Sequence, residues 1–215
     1  MAARRDPAFR AALAGAALAV PDGGGLLLAA RFWGRPFREQ VRGTDLVYRL
    51  AAAGAQTGQR WFFLGAAPGV AAAAGQRLAA LYPGLQVAGA YAGSPDPADD
   101  AATRAAVLAA SPVDVLLVAY GAPRQELWMA RNLPTLGVPV AVGVGGVLDY
   151  VAGRVPRAPR WVQNMGIEWL YRLVRQPWRW RRQLALPCFA LLALWETPRR
   201  RTAPQTWRAP VVEPR

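Results

Sequence analysis

Asp22 is the one carboxylate in the run Pro21-Asp22-Gly23-Gly24-Gly25. A carboxylate held in such a loop can take a proton from an attacking hydroxyl if it is well placed. The same residue would be ordinary as a turn former, and spacing alone leaves both readings open. Two other short runs attach polar or glycine residues to the end of an apolar segment. Gly121-Ala122-Pro123-Arg124-Gln125-Glu126 follows the apolar residues 113–119, and Gly143-Val144-Gly145-Gly146 follows residues 138–142. Polar side chains gathered at a strand end favour ligand contact, although Glu126 would also suit a solvated helix. The glycine run could cradle a phosphate with its backbone amides, or be a plain tight turn. Leu148 stands where G-x-G-x-x-G requires its last glycine, which argues against a Rossmann dehydrogenase. Asp149 could accept hydrogen bonds from a ribose or base, or cap a helix.

Other chemistries are excluded by composition. The chain has no histidine, and every one of its 26 basic residues is an arginine. That removes a histidine base, a histidine metal ligand and a Ser-His-Asp triad. Cys188 is the only cysteine, so no internal disulfide and no CxxC site can form. Asp96, Asp99 and Asp100 are the nearest approach to an acidic cluster. Pro95 and Pro97 between them indicate a solvated loop, and no D-x-D triplet exists. No metal site and no cofactor are expected.

The elements that position these residues alternate in type. Residues 6–17, 26–32 and 44–55 read as helical. Residues 60–65 form a short apolar run bounded by glycine, the mark of a buried strand. Pro68 is expected to open a helix reaching Tyr82, with a strand over 85–87 behind it. A loop over 92–100, a helix to 110, a strand over 113–119, a helix over 125–133 and a strand over 138–142 follow. Buried apolar strands alternating with helices predict a Rossmann-like α/β fold, with a parallel sheet and helices on both faces. Ligands in such sheets sit beyond the carboxyl ends of the strands, where residues 65–69, 120–126 and 143–149 lie.

Charge divides the chain. Residues 1–153 hold 13 arginines against 10 carboxylates, net +3, while residues 154–215 hold 13 against 3, net +10. In the second part Trp161, Trp169, Trp178, Trp180 and Trp195 interleave with Arg160, Arg172, Arg175, Arg179, Arg181 and Arg182. We read residues 1–153 as the α/β core, 154–198 as a basic helical appendage and 199–215 as a disordered tail. Each arginine near an anionic leaflet contributes on the order of 1 kcal/mol, and tryptophan favours the interface. No apolar run reaches the ~20 residues of a spanning helix, and the start of the chain lacks a clean signal-peptide pattern. A cytoplasmic protein attached peripherally to anionic inner-leaflet lipids is expected. The basic segment carries no nucleic-acid reading motif, so no nucleic acid is expected as a partner. The sequence leaves oligomerisation open.

Taken in order, several segments resemble the WecG/TagA/CpsF glycosyltransferases, glycosyltransferase family 26. They are Pro21-Asp22-Gly23, Arg42-Gly43-Thr44-Asp45-Leu46, Phe63-Leu64-Gly65, Tyr82-Pro83-Gly84-Leu85 and Gly121-Ala122-Pro123-Arg124-Gln125-Glu126. Residues 143–149, Gly153, Arg157-Ala158-Pro159 and Glu168-Trp169-Leu170-Tyr171-Arg172-Leu173 continue the series. Each is weak alone, but the ordered set spans roughly residues 5 to 190. The resemblance implies inverting, metal-independent transfer from a UDP-sugar to an undecaprenyl-diphosphate-linked acceptor, in cell-surface polysaccharide or teichoic acid synthesis. It implies that Asp22 is the base, and that Gln125, Gly145, Gly146, Asp149 and Arg157 contact the UDP-sugar. It further implies that Arg172, Arg179 and Arg182 of the appendage contact the diphosphate or the membrane.

The sequence also departs from the family pattern. Gln176 precedes Pro177 where an acidic residue is usual, and Arg124 stands where lysine is common. Family members carry an earlier strand and a Thr/Asn-containing loop before the segment matching residues 6–22. The corresponding expectation is either an upstream start or a shortened, inactive member acting as a membrane-associated partner of an assembly complex.

Overall fold

The computed structural model describes residues 2–159, 162, 168–175, 189, 192 and 193. The chain divides into two compact units. One joins residues 2–14 to 43–157; the other joins residues 15–42 to the segment from 158 onward.

The first unit begins with α1 (Ala2–Arg5) and α2 (Pro7–Ala14), and resumes with α4 (Gly43–Gln56). Its sheet comprises β1 (Arg60–Gly65), β2 (Gln86–Tyr91), β3 (Val115–Ala119) and β4 (Val140–Gly143), ordered β2-β1-β3-β4. All three pairings are parallel. The helices α5 (Val70–Leu81), α6 (Asp100–Ala109), α7 (Arg124–Asn132) and α8 (Val147–Val151) complete the unit.

Alternation along the central strands explains the layering. Trp61, Phe63, Val115 and Leu117 pack with Val47 and Ala51 of α4, Ala74 and Leu78 of α5, and Leu148 of α8. Phe62, Leu64, Leu116 and Val118 point the other way, to Val107 of α6 and Trp128 of α7. Successive strand residues face opposite sides, so a strand covered on both must be apolar throughout. Past Arg60 at its start β1 is, as is β3, and their side chains Trp61, Phe63, Leu64, Leu116, Leu117 and Val118 are fully enclosed. Each such burial is worth about 1.5–3 kcal/mol. The α/β architecture expected from the sequence, with helices on both faces, is thus present.

Most element boundaries shift by one to three residues from expectation, and three differences bear on the site or its surroundings. α5 starts at Val70 rather than at Pro68, because Gly69 before it adopts φ +80° and the helix cannot include that conformation. β2 runs on to Tyr91, paired with β1 as far as Leu64. Asp100 is not in a solvated loop. It opens α6, is 8% exposed, and forms a forked ion pair with Arg131 of α7 at 2.9 and 3.2 Å. Asp96 caps the short turn before it, accepting from the Ala98 N–H at 3.0 Å. These carboxylates are therefore engaged in fold contacts.

In the second unit, α3 (Gly24–Phe32) follows the Asp22 loop, and the Trp33 indole N–H at its end donates to the Ala193 carbonyl at 3.0 Å. A further helix, α9, spans Glu168–Arg175. No described helix is long and apolar enough to cross a membrane.

Candidate functional site

The chain moves from β1 outward to β2, then crosses back over β1 to β3 and β4. The direction reverses between β1 and β3, and it is beyond the carboxyl ends of strands at such a switch point that α/β proteins bind ligands. Gly65 ends β1 with φ +99°, and a Cβ there would sit 2.9 Å from the Ala119 carbonyl carbon. The Ala66 N–H donates to the Ala119 carbonyl at 3.2 Å, so the two strand ends are joined. Beyond Ala119 comes Tyr120, buried and edge-on to Trp128 at 6.1 Å. Burial pushes the Tyr120 hydroxyl well above its usual pKa, which keeps it protonated as a donor.

Gln125 connects the next two loops. Its side chain is turned inward at 5% exposure, and its Oε1 accepts the Gly121 N–H at 3.0 Å and the Gly145 N–H at 2.9 Å. Its own backbone N–H donates to the Gly121 carbonyl at 3.0 Å, which closes a ring much like a helix capping box. Nε2 donates to Glu126 Oε1 at 2.9 Å. One carboxamide thus clasps the β3–α7 loop to the β4–α8 loop. Gly143 makes room for it, since a Cβ there would lie 2.7 Å from Gln125 Nε2. The sequence expectation was direct contact between Gln125 and the donor; the structure shows its oxygen held by two backbone amides.

The phosphate cradle expected of residues 143–146 is altered for the same reason. The Val144 N–H donates to the Val118 carbonyl at 2.8 Å and the Gly145 N–H to Gln125, so both amides point into the fold. What Gly145 and Gly146 offer instead is bare backbone at the strand end, with φ +53° at Gly145. Asp149 is the third residue of α8 and not its cap; Gly146 holds the cap position. The Asp149 carbonyl accepts the N–H groups of Arg154 and Val155 at 2.9 and 3.2 Å and turns the chain after the helix. Arg157 forms an ion pair with Asp45 of α4 at 2.7 Å, with both side chains about one-third exposed or more. Gln125, Gly145, Gly146, Asp149 and Arg157 therefore all belong to one unit, and the first three converge at its strand ends.

For Glu126 the sequence left ligand contact and a solvated helix both open. Its Oε2 is buried without a hydrogen-bond partner beside the clasp, an acceptor that burial leaves unfilled. The signal was its place next to Gln125, whose outward or inward direction no spacing rule reveals.

Asp22 lies in the other unit. It is exposed, and its loop is tied down through the backbone. The Val41 N–H donates to the Pro21 carbonyl at 3.0 Å, and the Gln40 side chain donates to the Asp22 carbonyl. Gly23 then caps α3 with extended φ −74° and ψ 129°. The Asp22 carboxylate is thereby presented just before a helix start. Arg172 lies on α9, with its side chain outside what is described; Arg179, Arg182 and residues 199–215 lie outside the described residues. Among the described residues, no three metal-ligating side chains are grouped.

Comparison with known proteins matches this arrangement to one family. The model of the glycosyl transferase WecG/TagA/CpsF family matches residues 1–203. A protein of Bacillus spizizenii strain W23 is 34% identical over 192 residues, covering 89% of this chain and 74% of its own length. A protein of Bacillus subtilis strain 168 is 30% identical over 201 residues, covering 94% and 77%. Both are named N-acetylglucosaminyldiphosphoundecaprenol N-acetyl-beta-D-mannosaminyltransferase. With its parallel sheet, its clasped strand-end loops and a match along nearly its whole length, the chain belongs to the WecG/TagA/CpsF family of glycosyl transferases.

Proposed function

We propose that this chain is a hexosyltransferase that moves a sugar of the N-acetylmannosamine or glucose type from a UDP-sugar to an undecaprenyl-diphosphate-linked acceptor. The transfer is inverting and uses no metal. It takes place with the protein attached peripherally to the inner face of the cell membrane. The single observation that carries this reading is the Gln125 clasp at the strand ends of a chain of this family. Relatives named for an N-acetylglucosaminyl-diphosphoundecaprenol substrate support the acceptor class.

In this mechanism Asp22 takes the proton from an acceptor hydroxyl as that oxygen attacks the anomeric carbon. The bond from that carbon to the β-phosphate oxygen breaks, and UDP departs with added negative charge. Gly145 and Gly146 let the nucleotide approach the strand end, and Asp149 and Arg157 contact it. Gln125 holds the loops that do so. Charge on the leaving diphosphate is met by Arg172, Arg179 and Arg182, since a guanidinium fork is suited to bidentate hydrogen bonding with phosphate oxygens. The 13 arginines of residues 154–215 also favour an anionic leaflet.

The test is transfer from a panel of UDP-sugars to a synthetic lipid-diphosphate sugar in the presence of chelator. Activity should persist, and Asp22→Asn should lower turnover by a factor of at least about 100 while UDP binding stays within twofold or so. Strict dependence on added magnesium or manganese would overturn the metal-free mechanism. Unchanged turnover in Asp22→Asn would remove Asp22 from it.

A further inference from the structure

Gln125 joins its two loops only if its carboxamide points one way round. The oxygen and the NH2 of a carboxamide are nearly the same size, so their partners alone decide which end goes where. Here the oxygen meets two donors, the N–H groups of Gly121 and Gly145 at 3.0 and 2.9 Å. Nε2 meets Glu126 Oε1 at 2.9 Å, its one acceptor among the described residues. Turned over, the NH2 would face two N–H groups and the oxygen would face a carboxylate. Both contacts would then be repulsive.

Glu126 has no second task among the described residues. Its one side-chain hydrogen bond there is the one to Gln125, and its Oε2 is shut away from water with no donor. A carboxylate oxygen deprived of both opposes folding. The contribution of this side chain therefore lies in the contact its other oxygen makes. A second contribution is available from charge alone. Glu126 is the third residue of α7, where a negative side chain suits the helix dipole. The two contributions differ in what they require: the contact needs an acceptor at the right reach, and the dipole needs only the charge.

We propose that Glu126 is a positioning residue. By accepting from Nε2 it fixes which end of the Gln125 carboxamide faces Gly121 and Gly145, and so holds the β3–α7 and β4–α8 loops in one arrangement. That these loops flank the nucleotide rests on the function proposed above. In this role Glu126 acts through Gln125 and touches no reacting atom.

Three variants of the full chain separate reach from charge. Glu126→Gln keeps an acceptor oxygen at the same reach and gives up the charge. Glu126→Asp keeps the charge at the start of α7 but is shorter by one methylene. Glu126→Leu gives up both. Hydrogen exchange at the Gly121 and Gly145 amides, read by NMR, reports on the clasp with no substrate present. Protection should fall about tenfold in Glu126→Leu and Glu126→Asp, and stay within about threefold of wild type in Glu126→Gln. The amides of β1 and β3 should change by less than about twofold in all three. Affinity for UDP, measured by calorimetry, should follow the same order as the two glycine amides.

The proposal is overturned if Glu126→Gln loses as much protection as Glu126→Leu, because charge and not reach would then be what matters. It is overturned equally if Glu126→Leu leaves both glycine amides protected, or if the amides of β1 and β3 fall alongside them, as loss of a plain fold contact would produce. Exchange in the expected order with no UDP bound by any form, wild type included, would uphold the positioning of the loops and count against the UDP-sugar reading alone.

Discussion

Replacing Gln125 by leucine removes one carboxamide of nearly the same size and leaves two backbone donors without their acceptor. The Gly121 N–H at 3.0 Å and the Gly145 N–H at 2.9 Å both end on its Oε1. An unsatisfied buried donor costs about 1–3 kcal/mol, so the pair gives about 2–6 kcal/mol before relaxation. Glu126 Oε1 also loses its donor, next to an Oε2 that already has none. Against this stands the favourable transfer of an apolar side chain into a 5% exposed position and the entry of water at the loops. We expect a net loss of about 3 kcal/mol, confined to the two loops. Hydrogen exchange by NMR reads it directly, since 1.4 kcal/mol corresponds to about a tenfold change in protection. Protection of Gly121 and Gly145 should fall by roughly two decades, while the amides of β1 and β3 change far less. Affinity for UDP should drop in step, because the loops at the strand ends would no longer hold one arrangement. Gln125→Glu keeps an oxygen for both N–H groups but sets a second carboxylate against Glu126. That variant should therefore recover toward wild type at about pH 4 relative to about pH 8, where protonation relieves the like charge. If Gly145 keeps its protection in Gln125→Leu and stability changes by less than about 0.5 kcal/mol, the clasp is not what holds these loops.

Two further outcomes follow from the ion pairs. Arg131 holds the Asp100 carboxyl below its ordinary value of 3.8, chiefly through the side-chain hydrogen bond. A lowered folded-state pKa gives stability that is present above the ordinary value and lost as pH falls through the lowered one. Asp100→Asn should accordingly cost about 1 kcal/mol near neutral pH, with the difference from wild type closing on acidification below that value, as measured by urea unfolding across pH. A gap independent of pH would refute the assignment. Arg157 pairs with Asp45 while both remain partly exposed, so Arg157→Ala should alter stability by no more than about 1 kcal/mol. A rise of about tenfold or more in the KM for UDP-sugar, without a matching loss of stability, would place its guanidinium against the donor; an unchanged KM would confine it to the ion pair.

How much was legible in residue order depends on the range of the forces concerned. In the runs at residues 60–65 and 113–119 all but Arg60 and Asp114 are apolar or glycine, which marks strands buried on both sides, because side chains alternating in direction would all need cover from water. Local conformational preference likewise located the loops, since glycine and proline restrict the backbone wherever they stand. The Asp22 loop, the 121–126 turn and the 143–146 run were therefore visible before any coordinate, as was the family that their order resembles.

Direction and pairing were not visible, because they depend on residues far apart in the chain. Asp100 belongs to a stretch that reads as solvated, yet Arg131, thirty-one positions later, makes it part of the packing between α6 and α7. Residues 26–32 read as helical, but not which side of that helix is enclosed: Ala29 and Ala30 are, while Leu28 and Phe32 stand exposed. Gln125 shows the distinction most clearly. Sequence could identify a polar residue at a strand end, but a carboxamide can point toward a ligand or back toward its own loop. Only the approach of Gly145, brought twenty residues along the chain by the pairing of β3 with β4, supplied the second N–H that turns it inward. Periodicity and turn chemistry are written in neighbouring residues; the partner of a hydrogen bond is decided when the sheet assembles.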